Sequence, residues 1–250
     1  MKPNRNKRVA IIASFSVIYA FLRIIPTFPL IGMPGASFST ADILAPLYGI
    51  ILGATLGSIS IILGTFLAII FGKPLIFLGL DFLPGISAAI ITSLLIRGNR
   101  KISIVALILI PIIYWGLPLT DFWVNVRGTL IPYNWMHITI FLLIISPLYE
   151  KLEINNIQNS IKENRIKTTT VISLLLVFYT GTLFQHIVGG IMFVTTMGII
   201  QETITPDAFP GLWKTFFYLY PIERTILAVI TTILSIPLLK TLYKNKINIE

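Results

Sequence analysis

The sequence contains no cysteine. That excludes disulfides, thiolate nucleophiles and cysteine-ligated metals, and it leaves the redox compartment open. Charge is scarce as well. Only 12% of residues are Asp, Glu, Lys or Arg, against roughly a quarter in a soluble globular chain, so water is not the main solvent. There are only two histidines, His137 and His186, far apart in sequence, and no multi-histidine metal site is expected. G-x-S-x-G, H-E-x-x-H and Walker A sequences are all missing. No catalytic residue, metal or cofactor is therefore expected, and any active transport must draw on a partner or an ion gradient.

What the chain does have is apolar length. Of its 250 residues, 55% are hydrophobic, and several runs approach the ~20 residues that cross a ~30 Å hydrocarbon core. The runs are Val9–Ile25, Ala41–Gly53, Ala54–Gly72, Leu75–Ile96, Ile102–Leu117, Met136–Leu148, Thr169–Ile199 and Phe217–Leu239. The start, Met1 to Arg8 followed by an apolar run, has the shape of a signal peptide. Phe21, Leu22 and Arg23 after Ala20 give no small-residue cleavage site, so it reads as a retained first span.

The net charge is +9. The basic residues form no groove with interleaved aromatics, as nucleic-acid binding would require, so no nucleic-acid partner is expected. They cluster between apolar runs: Lys2, Arg5, Lys7, Arg8; then Arg97, Arg100, Lys101; then Lys151, Lys162, Arg165, Lys167; then Lys240, Lys244, Lys246. The positive-inside rule puts all four clusters in the cytoplasm, against anionic lipid. The chain must then cross an even number of times before Arg97. As one helix, Ala41–Gly72 would be roughly 48 Å long, too long for one crossing. A hairpin turning near Gly53–Gly57 satisfies both constraints. The expectation is an all-α polytopic bundle of about eight membrane segments in a single integral domain, both termini cytoplasmic. The polar stretch 150–168 forms a cytoplasmic linker or a short amphipathic helix. The two short halves of the hairpin are either helices broken around a binding site or a simple tilted hairpin buried by its neighbours.

Small residues recur every four positions at Ala41, Ala45, Gly49, Gly53 and Gly57, continuing at Ser60 and Gly64. Such spacing lets helix backbones approach closely in lipid, so these helices should form the packed centre. A second small face on the first span, Ala10 and Ser14 with Ala13, Ser16 and Ala20 nearby, serves either packing within the chain or docking of another membrane protein.

Asp81 sits in an apolar stretch. An ionisable group at membrane depth is a functional candidate. With Pro84 three residues on, however, it could equally lie at a helix N-terminus, where the dipole favours a carboxylate. Gln185 and His186, beside Gly181, Gly189 and Gly190, are either satisfied packing residues or ligand contacts. All four tryptophans (Trp115, Trp123, Trp135, Trp213) and Tyr114, Tyr133, Tyr218 and Tyr220 fall on the outer face of this topology. They read as an interfacial belt or, being one-sided, as the surroundings of an outward site for a flat ring. Asp121, Asn125, Arg127, Glu223 and Arg224 beside them read as solvated loop charges, and Arg23 as a snorkelling residue.

The run FSTADILAPLYGIILGATLGSISIILG at 38–64 resembles the second and third helices of the substrate-binding components of energy-coupling factor vitamin transporters. FLPGISAA at 82–89, ending at Arg97–Lys101, is similar to that family's fourth helix and its basic cytoplasmic end, and YPIERT at 220–225 to the start of its last helix. The resemblance covers 9–101 and 169–246. The stretch 102–148 departs from it as an extra hairpin on a six-helix core. The resemblance implies capture of a vitamin or a metal ion from outside, with Phe38, Asp42, Asp81, Gln185 and His186 near the ligand; Trp115 joins them as one of the outer aromatics, which favour a ring-bearing vitamin or precursor over a bare metal ion. It implies partners too: a transmembrane coupling subunit, which Ala10 and Ser14 on the first helix would meet, and two ATPase subunits. A stand-alone ion-coupled transporter is the alternative.

Overall fold

A computed structural model describes residues 5–33 and 35–244. Lys2 and Lys246 of the outer basic clusters, and Met1–Asn4 of the signal-like start, lie outside the described residues. Ten helices carry the fold: α1 (Arg5–Ile24), α2 (Ala41–Ile51), α3 (Gly53–Ile70), α4 (Leu83–Ile96), α5 (Arg100–Trp115), α6 (Trp135–Ile145), α7 (Leu148–Lys151), α8 (Ile157–Lys162), α9 (Thr168–Phe193) and α10 (Phe209–Lys244). Beyond the expected helices there are two antiparallel hairpins. The strands β1 (Pro26–Pro29) and β2 (Ser37–Ser39) form one, β3 (Trp123–Val126) and β4 (Thr129–Pro132) the other.

Three helical stretches are long and apolar enough to cross a bilayer: Gly53–Ile70, Thr168–Ile200 and Pro206–Lys244. A pair bent by 75°, Trp135–Ile145 with Leu148–Lys162, makes a fourth if it counts as one span. These stretches fit a membrane-embedded chain. So does the surface, where Phe21, Ile70, Ile222 and Ile233 are each more than 60% exposed. Water would penalise such faces and lipid does not. By contrast α2 has 11 residues and α6 has 11, about 16 Å each.

The chain does reverse between α2 and α3. Gly53 takes φ +75°, a left-handed conformation that costs a side-chain-bearing residue. A Cβ on Gly57 would lie 3.1 Å from Tyr48 O, a contact that a continuous helix would keep ~13 Å apart. Every member of the small-residue stripe is buried. Gly49 lets α2 rest against the Ala89 carbonyl of α4, and Gly64 lets α3 rest against Ser16 and Tyr19 of α1. Hydroxyls join the helices where hydrocarbon offers no water. Thr92 Oγ1 is 2.8 Å from Pro46 O, Thr231 Oγ1 is 2.9 Å from Ile43 O, and Tyr48 donates to Phe15 O at 2.8 Å. The small face of α1 is split: Ser16 and Ala20 point inward, while Ala10, Ala13 and Ser14 are exposed.

The two ends differ. At the lower end Arg100 pairs with Glu150 and stacks on Tyr149, and Ile154, Ile157 and Ile161 pack α8 and its preceding turn under the bundle. The stretch 150–168 is thus a docked amphipathic element. At the upper end the long helices carry a second apolar cluster of Tyr114, Val124, Tyr133, Phe193, Phe209, Trp213 and Phe217. Here the structure extends the last helix beyond the expected run Phe217–Leu239. Phe209–Phe216 is helical and begins α10, because Phe209 and Trp213 bury one face of that turn against Phe193.

Candidate functional site

At the upper end the β1–β2 hairpin covers a cavity of about 340 Å³, within the usual size range for small-molecule sites. Its walls come from the end of α1 (Arg23), the hairpin (Phe28, Phe38), the start of α2 (Asp42), the α3–α4 loop (Lys73, Asp81), Tyr133, and the facing sides of α9 and α10.

Asp42 occupies the first turn of α2 and is buried. Ser39 N–H donates to its Oδ2 at 2.8 Å, and Gln185 Nε2 to its Oδ1 at 2.5 Å. One carboxylate therefore fixes the hairpin's exit strand and joins α2 to α9 across 143 residues of sequence. With its amide nitrogen so engaged, Gln185 keeps an unpartnered Oε1.

Asp81 does not cap a helix. Its oxygens accept from Ile76 N–H at 3.0 Å and Phe77 N–H at 3.1 Å, closing the α3–α4 loop on itself, while α4 begins at Leu83 without a side-chain cap. A carboxylate that already holds its own loop has no reach left for the helix N-terminus. Arg23 lies 3.8 Å from Asp81 Oδ1 and donates to Asp81 O at 3.2 Å. The guanidinium is thus held at the cavity wall, and the snorkelling expectation gives way to an ion pair. Lys73 donates to Ser37 O and Oγ at 3.2 and 3.3 Å, fastening the hairpin to the opposite loop. Burial lowers its pKa from the ordinary lysine value and Arg23 lowers it further, while Asp42 and Asp81 partly offset both.

Arg224 is 1% exposed, so it is not a solvated loop charge. It pairs with Glu223 at 2.7 Å, reaches Thr182 O at 3.4 Å, and lies 5.6 Å over the Phe38 ring. The position follows from α10 starting eight residues earlier than expected, which carries Arg224 well inside the helix. His186 stacks on Tyr220 with centroids 4.5 Å apart and planes 14° apart, and its Nε2 is 3.2 Å from Tyr133 Oη. The two histidines, remote in sequence, come within 6.2 Å of each other. Among the described residues no group of three or more His, Cys, Asp or Glu side chains could hold a metal ion.

Five of the six expected ligand residues, Phe38, Asp42, Asp81, Gln185 and His186, line this one cavity. Trp115 does not. It packs on Phe122, centroids 4.4 Å apart, in the neighbouring aromatic cluster. Sequence reasoning passed over Lys73 and the inward orientation of Arg23, Glu223 and Arg224; of the outer aromatics it offered as surroundings for a flat ring, Tyr133, Tyr220 and Trp213 line the cavity. The available signal was subtraction. Once the four basic clusters are set aside, five basic residues remain, Arg23, Lys73, Arg127, Lys214 and Arg224, and three of them line the cavity.

No family model matches the chain, and neither a curated protein nor a solved structure is significantly similar to it. The reading of the site therefore rests on its chemistry. The described lining brings together aromatic rings, one side-chain amide and charged groups.

Proposed function

We propose that this protein is a membrane-embedded solute-binding subunit that captures a vitamin or related small molecule from outside the cell. The carrying observation is the cavity itself. It lies at the end opposite Arg100, Glu150 and the basic 150–168 stretch, with the β1–β2 hairpin in its wall. With the positive-inside rule that end faces out. The chain then makes about eight crossings of the cell membrane with both ends cytoplasmic, and the short α2 and α6 are supported by their neighbours rather than by length. Lacking an ATP-binding loop, the subunit would be energised by a transmembrane coupling protein and two ATPase subunits. The exposed Ala10, Ala13 and Ser14 offer α1 a close-approach face for the former.

The test is thermal unfolding of the purified protein in mild detergent against B vitamins, their precursors and cobalamins. A ligand at ~100 times its dissociation constant adds about 2.7 kcal/mol. A saturable shift that Asp42→Ala and His186→Ala both reduce is the expected result. A folded, ligand-free protein that no compound shifts would reject the capture reading and direct attention to ion-coupled uptake.

A further inference from the structure

The cavity wall carries six charged side chains, and four of them neutralise one another. Arg23 faces Asp81, whose oxygens are also met by two backbone N–H groups, and Arg224 pairs with Glu223. The remaining two are Lys73 and Asp42. Among the described residues Lys73 has no carboxylate within ion-pair distance, and it donates only to the neutral oxygens of Ser37. Asp42 has no cation within ion-pair distance, and accepts only from Ser39 and Gln185. Beside it the buried Gln185 Oε1 has no donor. Unmatched charge at a low-dielectric wall is costly and calls for a complementary group.

The spacing is short. Ser37 and Ser39, which hold the two charges, lie two residues apart on β2, about 7 Å along a strand. The same cavity is lined by the His186–Tyr220 stack and by the Phe38 ring under Arg224, flat surfaces that favour an unsaturated ring.

We infer that the cavity takes a dipolar ring carboxylic acid, its carboxylate on Lys73 and its ring N–H groups on Asp42 and Gln185. This rests on the capture reading above and narrows it. A bare cation lacks the acid that Lys73 needs, and a fatty acid lacks the donors that Asp42 and Gln185 need. The net-neutral wall excludes neither alone, but matches a molecule that presents both ends.

The experiment uses matched probes on the full-length protein in detergent: orotate and biotin, acids whose rings carry N–H groups, each beside its uncharged amide, with thiamine as a cationic ring and octanoate as a ringless acid. Dissociation constants are measured by thermal shift and confirmed by calorimetry. At least one ring acid is expected to bind about ten- to a hundredfold more tightly than its amide, the range of one charge-assisted contact. Lys73→Gln should erase that difference and Lys73→Arg should restore part of it. Asp42→Asn should weaken acid and amide alike. If an acid and its amide bind equally, or thiamine or octanoate binds best, the dipolar assignment fails while the capture reading stands. If none of these probes and no compound of the wider vitamin panel binds, both fail together.

Discussion

Gly49→Ala offers a sharp test of how α2 is seated. An added Cβ would lie 2.1 Å from both Ala89 O and Thr92 Oγ1 and 2.8 Å from Ala89 C. Two of those atoms are backbone, so no side-chain rotation relieves the clash. Helices α2 and α4 must separate by about 1 Å to reach ordinary contact, and overpacking of that kind costs about 3 kcal/mol. The separation also removes the Thr92 hydroxyl from Pro46 O, about 1 kcal/mol more. Alanine's better helix propensity returns about 1 kcal/mol. The net loss of about 3 kcal/mol corresponds to a fall of about 6 to 12 °C in midpoint for a chain of this length. The control is Gly189→Ala, where the nearest atom, Pro84 Cγ, is 3.9 Å away. There the propensity gain stands alone, and the midpoint should hold or rise by a few degrees. Thermal scans of both variants in one detergent at one scan rate suffice, since such midpoints depend on scan rate. A Gly49→Ala protein as stable as the parent would refute the α2–α4 contact.

Three further outcomes are expected. Asp81→Ala leaves Ile76 N–H and Phe77 N–H without their acceptor and Arg23 without its carboxylate partner, and should cost about 3 kcal/mol. Asp81→Asn keeps one carbonyl oxygen and should cost about half that, and an Ala variant no worse than Asn in thermal scans would contradict the loop-closing role. The cysteine-free sequence is a ready background for topology. An impermeant maleimide should label Thr129→Cys on intact cells and Glu163→Cys only after permeabilisation, and labelling of both on one side would overturn the crossing number. Finally, Lys73, faced by Arg23 from α1, Asp42 from α2 and Asp81 from its own loop, has a pKa below the ordinary lysine value because of burial and Arg23. A bound carboxylate favours the protonated amine. Affinity for a ring acid, followed by calorimetry across the alkaline range, should therefore fall as pH rises, and begin to fall before an exposed lysine would titrate. Lys73→Arg should be flat over that range.

Much of the bundle was readable from periodic small residues. Ala41 through Gly64 announce close backbone approach, and the excess length of Ala41–Gly72 announces a reversal. Both are local consequences of spacing. The two hairpins were not readable in the same way. The β3–β4 turn uses Arg127 and Gly128, both at positive φ, with Asn125 Oδ1 accepting from Gly128 N–H. It has two-residue hairpin geometry without the Asn-Gly pair that usually signals it. The start of α10 was hidden because Lys214 and Gly211 interrupt the apolar run, and only tertiary burial of Phe209 and Trp213 decides the matter. For the site, Phe38, Asp42, Asp81, Gln185 and His186 were found from a resemblance and from polar residues out of place in apolar runs. Trp115 was included for its residue type, and its direction depends on Phe122, seven positions away across a turn. Asp81 shows the limit most plainly: whether it caps a helix or closes a loop turns on two backbone N–H groups that no periodicity encodes.

The length of α10 has a mechanical consequence. It is one 36-residue helix that carries Arg224 at the cavity and Leu239 in the core at the opposite end, about 22 Å apart along its axis. Pro221 lies one turn before Arg224 and cannot donate to Phe217 O, so the rod has a soft joint beside the charged wall. A bend of about 5° at that joint moves Leu239 by about 2 Å, enough to change its packing in the core. On the proposed reading, filling of the cavity would be transmitted to the opposite end of the bundle along this one helix, which carries a second proline, Pro237, just before Leu239.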